Sequence, residues 1–310
     1  MIKKSIFADL SLLFVAFIWG VTFVVVQNAI SFLPPNTFNG IRFFMAALLL
    51  GGWLFLFERN QLKYFNKKLL LAGIVLGIWL FLGYSTQTIG LLYTSSSKAG
   101  FITGLSVVLV PLFSFIILRH RLGGNAIFGV ALATFGLYLL TMTDISAINK
   151  GDVLVFICAV GFAMQIVFTG KYSKFFPTLL LTVVQISTVS VLSFIYAFFF
   201  ENWNTALQPS VLFKLEVFAA LVITSVFATA LAFFIQTNFQ KFTTPTRVAL
   251  IFTMEPVFAA AAGIFINHEQ LSSLALIGCF FIFAGMIFAE IPLKKLVYFR
   301  KRRDQYKFFQ

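Results

Sequence analysis

The sequence predicts an all-α integral membrane protein with ten transmembrane helices, arranged as two inverted five-helix repeats. Composition is the first reason: of 310 residues, 60% are hydrophobic and only 11% are charged, and the mean hydropathy is +0.97. Soluble domains carry about 25% charged residues. The second reason is a series of apolar runs near the ~20 residues that a helix needs to cross a bilayer. The third is a residue pattern that recurs near half the chain length.

The apolar runs fall into two sets of five. The first run follows Lys3 and Lys4, and no small-residue cleavage site comes after it, which predicts a membrane helix and not a signal peptide. A polar connection begins at Asp144 and gives a first repeat at 1–143, a second at 144–291 and a basic tail at 292–310. The expected helices lie at about 7–30, 37–57, 69–92, 96–118, 124–141, 153–171, 178–200, 215–239, 246–267 and 272–291.

The second half of the chain repeats residues of the first. Positions 149 residues apart include Gln87/Gln236, Thr94/Thr243, Lys98/Arg247, Gly129/Gly278 and Gly136/Gly285, and positions 143 apart include Asp9/Asp152, Pro34/Pro177 and Arg42/Gln185. The change of offset predicts six extra residues between the second and third helices of the second set. Because five is odd, the second set enters the membrane inverted, as in many secondary transporters with a solute site near the midplane. Inert duplication of a scaffold is the alternative.

The glycine pairs of the fifth and tenth helices predict close helix packing. The members of each pair are seven residues apart, so they lie roughly on one face of their helix. We expect that face to pack against a helix of the same chain or of a second copy. A homodimer is therefore a candidate assembly.

The distribution of basic residues predicts the orientation. With the N-terminus inside, nineteen Lys and Arg residues fall on the cytoplasmic side, against Arg42, Lys98, Lys150 and Lys214 outside. This asymmetry predicts a multi-pass protein of the cell membrane with both termini cytoplasmic. It also assigns the formal charge of +13 to membrane orientation, so no nucleic-acid partner is expected. The basic tail is a stop signal or a contact with anionic membrane lipids.

Several sequence features resemble the EamA-type branch of the drug/metabolite transporter superfamily. The resemblance rests on Phe17–Gly20, Pro34 with Arg42-Phe43, Thr94–Thr103, Thr243–Pro256 and the glycine-spaced fifth and tenth helices. It implies a ten-helix bundle that exports or exchanges small metabolites, with helices one, three, four, six, eight and nine around a central cavity. One departure is visible, since Ser106-Val107 stands where the second copy has Glu255-Pro256. The two halves are therefore not expected to contribute equally to function.

Polar and aromatic side chains within the apolar runs are the candidate solute contacts. Polar groups inside a membrane are costly and usually face the bundle interior. Their hydroxyl and amide groups suit a zwitterionic or amide-bearing solute, although hydrogen bonds between helices would explain them as well. The candidate substrate-binding residues are Trp19, Thr22, Tyr84, Gln87, Phe101, Gln236, Phe252 and Glu255.

Glu255 is the most informative of these candidates. It lies about ten residues into the ninth helix, roughly 15 Å deep, where a charge costs on the order of 2.5–3.5 kcal/mol. The ring of Pro256 is expected to free the Phe252 carbonyl and kink the helix. Glu255 is expected to bind a substrate ammonium or a proton, or else to form a structural hydrogen bond.

Three basic residues near helix starts have two interpretations. Lys98 and Arg247 begin the fourth and ninth helices on opposite sides of the membrane. They either snorkel to the lipid headgroups or act as gating charges at the two ends of the cavity. Arg42 is interpreted in the same way.

The sequence offers little for catalysis. His120 and His268 lie at helix ends with no carboxylate cluster or metal-ligand spacing beside them, and no nucleotide-binding motif is visible. Cys158 and Cys279 predict no disulfide framework. No catalytic residue, metal or cofactor is expected. The favoured function is a secondary transporter exporting or exchanging amino acids or related zwitterions; a flippase for a lipid-linked or amphipathic molecule is the alternative, and a membrane enzyme or sensor ranks third.

Overall fold

The computed structural model describes residues 2–94, 96–120, 123–141, 148–206, 208–267 and 272–290. All regular structure in these ranges is helical. The α-helices are α1 (Ile2–Ala29), α2 (Pro35–Phe57), α3 (Lys67–Gly90), α4 (Ser96–Gly104), α5 (Ser106–Leu118), α6 (Gly124–Thr141), α7 (Lys150–Tyr172), α8 (Thr178–Phe200), α9 (Trp203–Ala206), α10 (Pro209–Leu212), α11 (Leu215–Ile223), α12 (Ala232–Gln240), α13 (Pro245–Phe252), α14 (Glu255–Asn267) and α15 (Ser273–Glu290). The basic tail and His268 lie outside the described residues.

The protein is a multi-pass membrane protein. Within the described ranges, 8 helical segments are long and apolar enough to cross a bilayer, and Ser273–Ala289 is a shorter apolar helix. The predicted ninth helix is divided into α13 and α14. The count of ten therefore stays a prediction. Exposed phenylalanines such as Phe198, Phe199 and Phe200 stand on the surface of the bundle, where lipid accepts them without cost.

The glycine faces of α6 and α15 pack against each other. A Cβ atom added to Gly129 would lie 2.6 Å from the Gly285 carbonyl oxygen, and one added to Gly136 would lie 2.6 Å from that of Gly278. Only glycine allows backbones this close. Gly278 is the repeat equivalent of Gly129, and Gly285 is that of Gly136, so the two contacts are equivalent positions of the repeat. The expected close packing is present, and it joins two helices of the same chain.

Glycines also bring α3 and α1 against helices of the other half. Cβ atoms at Gly73 and Gly83 would fall within 2.5 Å of the Val184 and Phe162 side chains. A Cβ atom at Gly20 would fall 2.5 Å from the Glu255 carbonyl oxygen. Close contacts at glycines therefore hold helices of the two halves against each other.

Two helices are interrupted at matching positions of the repeat. The fourth predicted helix is broken at Leu105, and the ninth at Thr253 and Met254. Leu105 and Met254 are 149 residues apart. Each break is followed by a new helix N-terminus, at Ser106 in α5 and at Glu255 in α14. The kink predicted from Pro256 is present as this second break.

A π-helical segment, Thr224–Leu231, joins α11 to α12. Its wider turns shift hydrogen bonding from i+4 to i+5, a rare arrangement often found at functional sites. The repeat-related part of α3 is an ordinary α-helix. The short helices α9 and α10 lie between α8 and α11, where the change of offset predicted additional residues.

Candidate solute-binding cavity

A cavity of about 430 Å³ lies at the centre of the bundle. The cavity walls include α1, α3, α4, α7, α12, α13 and α14, which correspond to the helices that the family resemblance implies. Single residues of α2, α5 and the π-helical segment and two residues at the end of α6 complete the walls. Seven of the eight candidate substrate-binding residues line the cavity: Trp19, Thr22, Tyr84, Gln87, Gln236, Phe252 and Glu255. Their role in binding stays a prediction.

Phe101 is the candidate that the cavity walls do not include. Its ring packs against the buried apolar clusters and lies 6.2 Å from the Tyr138 ring centroid. Gly100, Thr103 and Gly104 line the cavity in its place. Residues three and four apart share a helix face, so the face of Gly100 excludes Phe101.

Among the described residues, the walls of the cavity extend towards one end of the bundle. Its walls reach Gln27, Leu91 and Thr141, which are at the ends of α1, α3 and α6. We call this end the open face. The other end, where α1 and α13 begin near Asp9 and Arg247, contributes no wall residue, and we call it the closed face.

Direct contacts between α7, α12 and α13 seal the closed face. The Gln240 side chain donates a hydrogen bond to the Ile166 carbonyl oxygen at 2.5 Å, and Gln236 Nε2 donates to Gln165 Oε1 at 3.1 Å. A Cβ atom at Gly170 would lie 2.8 Å from Pro245 Cγ. Among the described residues, these contacts separate the cavity from the closed face.

Aromatic rings form much of the cavity wall. The Trp19 indole donates a hydrogen bond to the Ala228 carbonyl oxygen, in the π-helical segment, at 2.8 Å. Its ring centroid lies 5.4 Å from that of Phe233 and 5.0 Å from that of Phe252. Trp19 therefore belongs to the cavity and is fixed in orientation by both ends of its side chain.

Arg42 is a wall residue that the sequence interpretation missed. The prediction that it snorkels to the headgroups is wrong, because the residue is 2% exposed and lines the cavity. Its guanidinium carbon lies 4.5 Å from the Tyr84 ring centroid and 4.9 Å from that of Phe43. Arg42 lies only two turns from the start of α2. A position so near the helix end suggested that the side chain reaches the lipid headgroups. Its face of the helix instead directs the side chain into the cavity.

Glu255 stands in the first turn of α14, at the edge of the cavity. A helix N-terminus carries partial positive charge and favours a carboxylate there. Across the described residues, Glu255 enters neither ion pair and is not among the residues with a further interaction. The carboxylate therefore borders the cavity without a protein partner from those ranges.

Lys98 and Arg247 form ion pairs beside the cavity. Lys98 Nζ lies 2.6 Å from Asp152 Oδ2, and Arg247 pairs with Asp9. The Lys98 side chain is 11% exposed, so snorkelling is wrong for it. Neither basic residue lines the cavity, and their gating role stays a prediction.

The acidic partners were missed, although the sequence contained the signal for them. Asp9 and Asp152 are 143 residues apart, and Lys98 and Arg247 are 149 apart. The repeat equivalent of Lys98 is therefore Arg247, and that of Asp152 is Asp9, so the two ion pairs are equivalent contacts in the two halves. Matching acidic positions in the first helices and basic positions in the fourth helices would have suggested both pairs.

Comparisons with known proteins identify the family. The model of the EamA-like transporter family matches residues 6–142 and again residues 149–290. The chain is 33% identical over 296 residues to an uncharacterized transporter of Archaeoglobus fulgidus, covering 93% of this chain and 87% of that protein. The chain belongs to the EamA-like transporter family. The expected resemblance is confirmed, and this EamA-like protein is a transporter of the drug/metabolite superfamily.

Other relatives of this EamA-like transporter are more distant. It is 22% identical to the uncharacterized transporter YoaV of Bacillus subtilis, over 89% of this chain and 94% of that protein. A segment of 130 residues is 30% identical to the S-adenosylmethionine/S-adenosylhomocysteine transporter of Chlamydia muridarum, covering 40% of each chain. A solved crystal structure matches with a TM-score of 0.77 at 18% identity, over 93% of this chain and 98% of that one. That last likeness shows the fold alone.

Proposed function

We propose that this protein is a secondary transporter that exports or exchanges small zwitterionic metabolites, such as amino acids, by alternating access through the central cavity. The observation that carries the proposal is a cavity with polar and aromatic walls that reaches one face while helix contacts seal the other. In a cell membrane with both termini cytoplasmic, as the basic residues predict, the open face is the outer one.

The proposed architecture is ten transmembrane helices in two inverted five-helix repeats, at 1–143 and 144–291. Two separate matches to one family model, at 6–142 and 149–290, support a duplication. The paired glycine contacts of α6 and α15 and the two ion pairs, each converted into its counterpart by the sequence offsets, support a twofold relation between the halves.

The repeat also supports alternating access. The closed-face contact between Ile166 and Gln240 has its repeat equivalent in Phe23 and Leu91. Both of these residues line the open cavity. If the two repeats exchange conformations, Phe23 and Leu91 come together. Ile166 and Gln240 then separate. The cavity then closes on one face and opens on the other, which is how inverted repeats give two gates to one site.

The function is tested with purified protein in liposomes. Liposomes loaded with an unlabelled L-amino acid should take up the same labelled amino acid from outside, in a saturable way, because a secondary transporter exchanges solute across its site. S-adenosylmethionine and S-adenosylhomocysteine belong in the panel because a partial relative carries their name. Protein-free liposomes control for leakage. Absence of exchange for every zwitterion, by protein that is still folded, would refute the proposal.

A further inference from the structure

The cavity wall carries buried polar atoms that have no hydrogen-bond partner among the described residues. Arg42 Nε and Gln236 Oε1 are both buried with no hydrogen-bond partner in the part of the chain that the structure describes. The great majority of buried polar atoms in proteins do have one. Both residues line the cavity, as does Glu255. One of these groups is a cationic donor, and the other two are acceptors.

We propose that Arg42 binds the carboxylate of the transported zwitterion, while Glu255 and Gln236 accept hydrogen bonds from its ammonium group. The inference rests on the proposed function and specifies how its solute is recognised. It predicts that a solute needs both charges, and that it binds in one orientation.

The setting of Arg42 suits a carboxylate. The Tyr84, Phe43 and Phe38 rings lie 4.5, 4.9 and 5.7 Å from its guanidinium carbon. Such stacking holds the planar group, and its Nε, which has no partner among the described residues, is a donor for a carboxylate oxygen. The two ion pairs among the described residues involve Lys98 and Arg247 instead. An incoming carboxylate would supply the counter-charge that a buried guanidinium otherwise lacks.

The setting of Glu255 suits a cation. Trp19 and Phe252 line the same cavity with their ring centroids 5.0 Å apart. Aromatic faces attract a cation, most strongly when it is removed from water. A carboxylate in addition to these rings selects an ammonium or a sulfonium over a neutral group and repels a second carboxylate.

The repeat indicates that the two charges are not a by-product of scaffold duplication. The equivalent of Arg42 in the second half is Gln185, and the equivalent of Glu255 in the first half is Ser106. Each charge therefore occurs once, in opposite halves of the chain. A site with one cation and one anion distinguishes the two ends of a zwitterion.

The test compares acids with their esters. The probes are L-methionine and L-phenylalanine, the methyl ester of each, and S-adenosylmethionine with its decarboxylated form, measured as inhibitors of exchange in liposomes. In the parent protein each acid should inhibit at about tenfold lower concentration than its ester or amine, since one charge-assisted pair is lost. Arg42→Gln should weaken inhibition by the acids about tenfold and leave the esters within about twofold.

Two further variants complete the experiment. Arg42→Lys keeps the charge and should retain part of the preference for the acids. Arg59→Gln is the matched control, because Arg59 also stacks on a ring, that of Phe55 at 4.0 Å, but is exposed and outside the cavity. It should behave like the parent protein.

The outcomes separate the inference from the function on which it rests. Equal inhibition by acids and esters in the parent protein would overturn the inference while leaving transport intact. Equal weakening of both classes by Arg42→Gln would reduce Arg42 to a structural residue and overturn it too. If Arg42→Gln does not fold, the parent acid-to-ester ratio and Arg42→Lys still decide. Exchange of no probe at all would refute the proposed function, and the inference with it.

Discussion

Charged side chains inside this bundle occur in two settings. Lys98 with Asp152 and Arg247 with Asp9 are paired, and each pair joins a first helix of one half to a broken helix of the other. Arg42 and Glu255 border the cavity and enter neither pair. Unpaired charge inside a membrane is costly and usually functional. We therefore assign the paired residues to attachment between helices and the cavity residues to solute.

Glu255→Gln should separate chemistry from shape at the cavity. The amide keeps the volume and hydrogen bonding of the carboxylate but cannot ionise. We expect exchange to fall roughly tenfold and to lose the pH dependence that an ionising carboxylate gives it, with expression unchanged. Initial rates at several pH values measure this.

Glu216→Gln is the control for that measurement, since Glu216 is exposed at the start of α11. A Glu255→Gln protein with the parent rate and the parent pH profile would reduce Glu255 to a structural residue. Tyr84, Gln87 and Gln236 would then be the main candidates, and the protein would be an uncoupled facilitator.

The two ion pairs should differ in their contribution to stability. Asp152 is 5% exposed, accepts a hydrogen bond from Thr94 and closes a capping box with Asn149. Removing one partner of a buried pair costs about 3–5 kcal/mol, because the remaining charge stays buried. Asp152→Asn should therefore lower the melting temperature in detergent clearly.

Asp9→Asn is the repeat-related comparison. The Arg247 side chain is 30% exposed and can be hydrated when its partner is changed, so its pair is expected to contribute about 1 kcal/mol or less. A larger loss of stability for Asp9→Asn than for Asp152→Asn would contradict this ranking by burial.

At the scale of single residues, chemistry was easier to predict than direction. Tyr84, Gln87 and Gln236, which line the cavity, were predicted because a polar group in an apolar run must face something other than lipid. Phe101 was grouped with them although apolar side chains give no such signal, and it does not line the cavity. Arg42 was assigned to the headgroups because the sequence shows how deep a residue lies along its helix. It does not show that the side chain turns towards Tyr84 on another helix, because that direction depends on packing.

At the scale of helices, the α6–α15 contact gives a direct test. Gly136→Ala would place a Cβ atom 2.6 Å from both the Gly278 oxygen and the Ile282 nitrogen. The backbones must move apart, and overpacking of this kind costs about 1–3 kcal/mol. We expect a lower melting temperature and a lower yield of folded protein in detergent.

Gly52→Ala is the matched control for this substitution. Gly52 also lies inside a transmembrane helix, but no described atom outside its own helical turn and its chain neighbours lies within 4 Å of an added Cβ. Alanine is the better helix former by about 1 kcal/mol, so stability should stay the same or rise. Equal melting temperatures for Gly136→Ala and the parent protein would show that the contact between α6 and α15 is looser than described.

Helix positions were predictable to within a few residues because long apolar runs and flanking charges mark them. The break before Glu255 was predictable as well, since Pro256 removes a backbone donor. The break at Leu105 has no proline beside it, and the π-helical segment Thr224–Leu231 has no sequence signature. Both depend on backbone hydrogen bonding that only the assembled bundle determines.

At the scale of the whole molecule, exchange of conformations between the halves predicts which residues meet. In a background with Cys158 and Cys279 replaced by alanine, the pair Ile166→Cys with Gln240→Cys should be cross-linked at once by a short bifunctional thiol reagent. Phe23→Cys with Leu91→Cys should react slowly at rest and faster when an exchanged amino acid is present. Gel mobility measures both.

Cross-linking of either pair should stop exchange, because each fixes one gate closed. Single-cysteine variants treated with the same reagent are the controls. If the cysteines at positions 23 and 91 never react while solute is transported, the exchange of conformations between the halves is contradicted. A reaction rate that is the same with and without solute would contradict it too.

The contact between α6 and α15 also affects the order in which the protein is made. At roughly 5–20 residues per second, α15 leaves the ribosome on the order of ten seconds after α6. During that interval, Gly129 and Gly136 lack the helix that contacts them in the folded chain. We therefore expect a chain that stops before Ser273 to be less stable than the full chain, because it cannot form this contact.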